Sequence, residues 1–98
     1  MPLNNSQLRH LRGLGHGLKP VVAIAVKGLS DNVMSEVEMA LGHHELIKVR
    51  VTAEDRDSRD VLIESILALT RAEKVQRVGH VLTLYRRNPQ APRIELPR

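Results

Sequence analysis

Apolar and polar positions along the chain switch between a helical and a strand period, and the switches mark the elements. Leu8, Leu11 and Leu14 recur at helical spacing after Asn5 or Ser6, either of which can cap a first helix ending in the Gly13, Gly15 and Gly17 cluster. Val21-Val22-Ala23-Ile24-Ala25-Val26 is a continuous apolar run bounded by Pro20 and Gly28. It is too short for an ordinary helix and rich in β-branched residues, which predicts a central strand buried on both faces. Helical spacing returns with Val33, Val37, Ala40 and Leu41, after a cap at Ser30 or Asp31, and Gly42 is the expected stop. From Glu45 to Thr52 the period is two. Ile47, Val49 and Val51 share one face, and Lys48, Arg50 and Thr52 the other, which predicts a half-exposed strand with a basic outer face.

The charged stretch from Ala53 to Asp60 leads into a third helix, capped by Asp57 or Ser58 and carrying a broad apolar face around Leu62, Ile66 and Leu69. Lys74 to Val78 and Val81 to Arg86 read as two strands about a Gly79-His80 turn. Arg87 to Arg98 contains Pro89, Pro92 and Pro97 and little periodicity, so an extended strap or a disordered tail is expected there. The order α-β-α-β-α-β-β, with a right-handed strand-helix-strand crossover and a hairpin, predicts an α/β (α+β) fold. Its four-stranded sheet should be mixed, with both parallel and antiparallel pairs.

The chain has 98 residues, enough for one domain with its own core, here expected over residues 1–86, followed by the tail over 87–98. It contains no cysteine, which removes disulfides, thiolate metal sites and cysteine nucleophiles. No secretory leader pattern and no membrane-length apolar run is present, so a cytoplasmic monomer is expected, with no membrane partner.

Charge changes the picture more than composition does. The net charge is +4, but residues 1–28 carry Arg9, Arg12, Lys19 and Lys27 with no acid. Residues 31–64 carry nine acids against Lys48, Arg50, Arg56 and Arg59, and bases prevail again from residue 65. A chain segregated in this way can present a positive surface to a polyanion. On the first helix, Arg9, Arg12 and His16 fall within about 60° of one another, either as part of such a surface or as an ordinary solvated stripe. The turn after the first strand points the same way. Gly28 permits a sharp bend, and the N–H groups opening the next helix lie beside Lys27, where they could hold a phosphate. Asp31 competes for the same positive helix end.

Other chemistry is poorly supplied. His43-His44-Glu45 is the one cluster with metal-ligand residue types, but adjacent histidines need His10 or His80 to complete a site, and a plain helix end explains them better. No nucleophile elbow or phosphate-loop spacing occurs, so neither catalysis, nor a cofactor, nor a small-molecule substrate is expected. Nucleic-acid binding would rest on phosphates, because Tyr85 is the only aromatic residue besides the histidines; Arg86 and Arg87 beside it could supply one stacking contact, although a tyrosine at a strand end is more often half-buried packing.

The element order, the strand-Gly-helix turn, the Glu38 to Leu41 helix end running into His43-His44-Glu45-Leu46-Ile47-Lys48-Val49, and the closing Val81-Leu82-Thr83-Leu84-Tyr85-Arg86 together resemble a known family. They are similar to the CRM domain (chloroplast RNA splicing and ribosome maturation) in its bacterial stand-alone, YhbY-type form, from Gln7 to Arg86. The resemblance implies a mixed α/β domain similar to the C-terminal domain of bacterial translation initiation factor three. It also implies RNA binding, with association with precursors of the large ribosomal subunit in bacteria and intron splicing in plant relatives. The family contacts RNA through a GxxG loop between the first strand and the next helix. The matching positions are Ala25-Val26-Lys27-Gly28, so the second glycine is present while Ala25 adds a Cβ at the first. The candidate RNA-binding residues are therefore Lys27 and Gly28 from the resemblance, and Lys19, Arg9 and Arg12 from charge. A protein-interaction adaptor, whose acidic middle segment meets a basic ribosomal protein or assembly factor, is the alternative from another class.

Overall fold

The computed structural model describes residues 2–25 and 28–98. Along them run α1 (Asn5–Gly15), β1 (Pro20–Ile24), α2 (Asp31–His44), β2 (Leu46–Val51), α3 (Arg56–Thr70), β3 (Glu73–Val78) and β4 (Val81–Tyr85). The strands form one mixed sheet in the order β1-β2-β4-β3, with β1 parallel to β2 and the other neighbours antiparallel. The expected α+β architecture is therefore the one observed.

Each helix begins on a side chain that satisfies an otherwise orphaned backbone N–H. Asn4, one residue ahead of the expected positions, caps α1 by accepting the Gln7 N–H at 2.8 Å, while Gln7 accepts the Asn4 N–H at 3.1 Å. Ser30 caps α2 through the Val33 N–H at 3.2 Å. Asp55, rather than Asp57 or Ser58, caps α3 through the Ser58 N–H at 2.7 Å, and the Ser58 backbone and hydroxyl hold its carboxyl below the usual range. Gly42 does not stop α2: the helix runs two residues further, and the chain leaves it at Glu45, whose φ is 63°.

α2 and α3 cover one face of the sheet. Val37, Leu41, Ile63 and Ile66 meet Val22, Ile24, Ile47, Val49, Val51, Leu82 and Leu84 there, forming the main core. α1 lies on the opposite face, against β2, β3 and β4. There Leu11 packs with Leu46, Val75 and Tyr85, while Leu8 is half-buried and Leu14 is 45 % exposed, so the leucine stripe of α1 is buried only at its centre.

The apolar run of β1 does not form a central strand. β1 pairs with β2 alone and is an edge strand, while β2 and β4 occupy the interior of the sheet. Val22 and Ile24 are buried under α2 and α3, whereas Val21 is 52 % exposed and Ala23 is open, because α1 sits over the other strands. A run of apolar residues looks the same whether a strand has one neighbour or two.

After β4 the chain forms no helix or strand, yet it is pinned to the domain. Glu45, fully buried, accepts backbone N–H groups from Asn88 at 2.6 Å, Arg93 at 2.7 Å and Ile94 at 2.8 Å. Ile94 and Leu96 pack on the smaller core cluster, and Gln7 donates to the Pro97 carbonyl at 3.0 Å.

Candidate nucleic-acid interface

Between β1 and α2, Ala25 and Gly28 are the described residues that flank Val26 and Lys27. The Gly28 N–H donates to the Ala25 carbonyl at 2.9 Å, and Gly28 has φ 85°, a left-handed angle at which a side chain is strained. A Cβ there would lie 3.8 Å from a Leu62 methyl, so backbone angle rather than space calls for glycine. Lys27, the residue singled out for phosphate contact, lies outside the described residues, as does Val26. Beyond the turn Ser30 satisfies the Val33 N–H, and Asp31 occupies the first turn of α2.

The other candidates lie on the face of the sheet that carries α1. Arg9 and Arg12 are exposed on α1, and Arg12 stands in its last turn, where a cation suits the helix dipole. Lys19 is exposed in the link to β1. The strand alternation adds two residues absent from that candidate set. Because Ile47, Val49 and Val51 point into the main core, Lys48 and Arg50 project from the α1 face of the sheet. Lys48 reaches under the end of α1: a Cβ on Gly15 would lie 3.9 Å from its Cε and 3.4 Å from a Thr83 methyl. Arg50 is exposed, paired across the sheet with Ala23 on one side and Val81 on the other.

The opposite helical layer has the opposite charge. α2 carries Asp31, Glu36 and Glu38 with no lysine or arginine, and α3 carries Asp57, Asp60 and Glu64 against Arg56 and Arg59. Among the described residues, the one ion pair within 4 Å joins Arg86 to Glu38 at 2.7 Å. Arg9, Arg12, Lys19, Lys48 and Arg50 thus face solvent or the sheet with no carboxylate partner among those residues. The acids of α2 and α3 thus lie on the layer opposite α1.

Tyr85 does not offer a stacking surface. It is 3 % exposed within the smaller core, its hydroxyl has no hydrogen-bond partner among the described residues, and burial, reinforced by the Glu45 charge and opposed by Arg87, raises its pKa. Arg86 is committed elsewhere, to Glu38 and to the Thr70 carbonyl at 3.0 Å. Of the two roles open to Tyr85, stacking and packing, the structure shows packing. His43 and His44 end α2 with ring centroids 6.3 Å apart, and no group of three or more metal-ligating side chains is placed to hold an ion among the described residues. No helix in those residues is long and apolar enough to cross a membrane.

Three comparisons agree with this architecture. Residues 3–86 match the model of the CRS1 / YhbY (CRM) domain. An RNA-binding protein of Haemophilus influenzae is 46 % identical over 98 % of this chain and 96 % of its own length. A probable RNA-binding protein of Pseudomonas aeruginosa is 40 % identical over 92 % of this chain and 86 % of its own, and a probable RNA-binding protein of Bacillus subtilis 32 % identical over 97 % and 99 %. The solution structure of a Staphylococcus aureus protein proposed to bind RNA superposes with a TM-score of 0.82 at 35 % identity, covering 97 % of this chain and 99 % of that one.

Proposed function

The chain belongs to the CRS1 / YhbY (CRM) domain family, and from that premise we propose that it binds structured RNA through phosphates. The observation that carries this reading is the cationic face formed by Arg9, Arg12, Lys19, Lys48 and Arg50, without an ion-pair partner among the described residues, with the carboxylates of α2 and α3 on the opposite layer. The β1–α2 turn extends the footprint: Gly28 shapes it, Lys27 supplies a charge, and the first N–H groups of α2 supply donors. Selection among RNAs rests mainly on shape. The large-subunit ribosomal precursor is the proposed target, on the resemblance to stand-alone bacterial CRM proteins, and the role is assistance in assembly without catalysis, in the cytoplasm and as a monomer.

Sedimentation of a lysate through sucrose gradients tests the target. Co-migration with large-subunit precursors at low salt, lost at high salt, is the expected result; protein remaining at the top of the low-salt gradient overturns the ribosomal reading. Lys27→Ala tests the turn. It should weaken binding of purified protein to ribosomal RNA fragments and lower the slope of log K against log salt by about 0.7–0.9, and an unchanged slope removes Lys27 from the interface.

The acid-rich α2 supports a second reading, a surface for a basic ribosomal protein or assembly factor. Glu38 is tied to Arg86, so Glu36→Lys with Asp60→Lys is the cleaner probe. Loss of a protein partner with RNA affinity intact would favour it.

A further inference from the structure

An apolar groove of about 510 Å³ meets the cationic face at Lys19, and the RNA reading does not explain it. It exists because β1 first pairs opposite Lys48, leaving Leu46 and Ile47 without a neighbouring strand on that side. Leu14, Leu18, Val21 and Ile94 close around the gap. Leu14 is 45 % exposed, Leu18 40 % and Val21 52 %, a cluster of solvent-facing apolar side chains of the kind that marks a binding surface. Among the described residues no acid lines the groove, and the ionisable ones that do are Lys19 and His44. Val21 in the groove wall belongs to β1, an edge strand with no strand partner on its outer side among the described residues.

We infer that this groove takes one unstacked nucleobase from a single-stranded loop or bulge of the bound RNA, with Lys19 on the adjoining phosphate. The inference rests on the RNA reading above and adds a base-binding subsite to it. Three features select this occupant. The groove's size lies within the range of about 300–1,000 Å³ typical of small-ligand sites, enough for a base and its ribose. Its apolar walls suit the faces of a base, and the open β1 edge offers donors and acceptors for the base's rim. Lys19 belongs both to the groove and to the cationic face, so a polyanion held on that face passes the groove mouth. A chain with no Phe or Trp, and with Tyr85 buried, has no aromatic platform, and aliphatic walls take that part.

The test uses the full chain and two RNAs of about 12 nucleotides, a size within the range covered by single-strand sites: one single-stranded, the other the same sequence in a duplex. The double variant Leu14→Ser/Leu18→Ser changes half-exposed positions, and its duplex affinity reports on whether it is folded. Single-strand affinity should fall about tenfold, as for loss of one base contact, with duplex affinity and both salt slopes unchanged. Lys19→Ala should instead weaken both RNAs and reduce both slopes by about one charge. Equal single-strand affinity in the leucine variant and wild type overturns the base subsite while leaving the RNA reading in place. Absence of salt-dependent binding to either RNA by the wild-type chain overturns both. A leucine variant that leaves RNA binding intact but converts a dimer to a monomer in sedimentation assigns the groove to a second copy and overturns the proposal.

Discussion

Glu45 shows how much one residue can be asked to do. It ends α2 at a φ of 63°, where a non-glycine residue is strained by about 1–3 kcal/mol, and its buried carboxylate holds the strap through three backbone N–H groups. Burial acts to raise its pKa, but the donors of Asn88, Arg93 and Ile94, helped by the charge of Arg87, outweigh it and leave the carboxyl below its ordinary value of 4.5. A carboxyl depressed in the folded state contributes stability that is present above the unfolded pKa and is lost as pH falls through the folded one. Wild-type stability should therefore lose this contribution only as the pH drops from about 4.5 downward. Glu45→Gln sets an amide NH2 against one of the three N–H donors and should cost about 1–3 kcal/mol at pH 7. Urea unfolding of both proteins at pH 7 and at acid pH checks this: the gap should narrow in acid, and a gap independent of pH would mean that the charge is irrelevant to the strap.

Among the elements, α2 makes the sharpest contrast between local signal and folded outcome. A glycine after Leu41 has the look of a helix stop, yet Gly42 lies inside α2, where an added Cβ would meet nothing within 4 Å, so Gly42→Ala should gain about 0.5–1 kcal/mol in thermal or urea unfolding. If Gly42 were the true C-cap, the same change would destabilise. What the sequence made legible was periodicity: the three helices, the alternation of β2 and the Gly79-His80 hairpin lie where their patterns put them, and with them the mixed α+β sheet, although Leu14 and Leu69 of the expected apolar stripes are exposed. What it left hidden depends on contacts between distant residues. The edge position of β1 is decided by where α1 lies, and the order in the strap by a carboxylate 43 residues ahead of Asn88. On the cationic face, Arg9, Arg12 and Lys19 could be picked out from the absence of nearby acids, and Lys48 and Arg50 were visible as the basic side of β2. The groove could not be read, since Leu14, Val21, Leu46 and Ile94 meet only in the folded chain.

At the scale of the whole molecule, the sheet separates a cationic surface from an acidic helical layer, and the two should act on RNA with different reach. The protein measures 39 × 24 × 24 Å along its principal axes. On the proposed reading, RNA docked on the α1 face touches Arg9 and Arg12 directly, while Glu36 and Asp60 act from across the sheet. The Debye length is about 30 Å at 0.01 M salt and about 8 Å at 0.15 M, so the distant carboxylates are felt in the first condition and screened in the second. Glu36→Gln with Asp60→Asn should raise RNA affinity a few-fold at 0.01 M and leave it unchanged at 0.15 M. Arg9→Ala with Arg12→Ala removes the proposed phosphate contacts themselves. It should weaken binding at both salt concentrations and lower the slope of log K against log salt by about 1.4–1.8, two contacts' worth of released counterions. Fluorescence anisotropy titrations of the two double variants across that salt range distinguish contact from field. If the carboxylate variant still gained affinity at 0.15 M, the acidic layer would have to lie against the RNA, and the α1 face would lose its claim to be the docking surface.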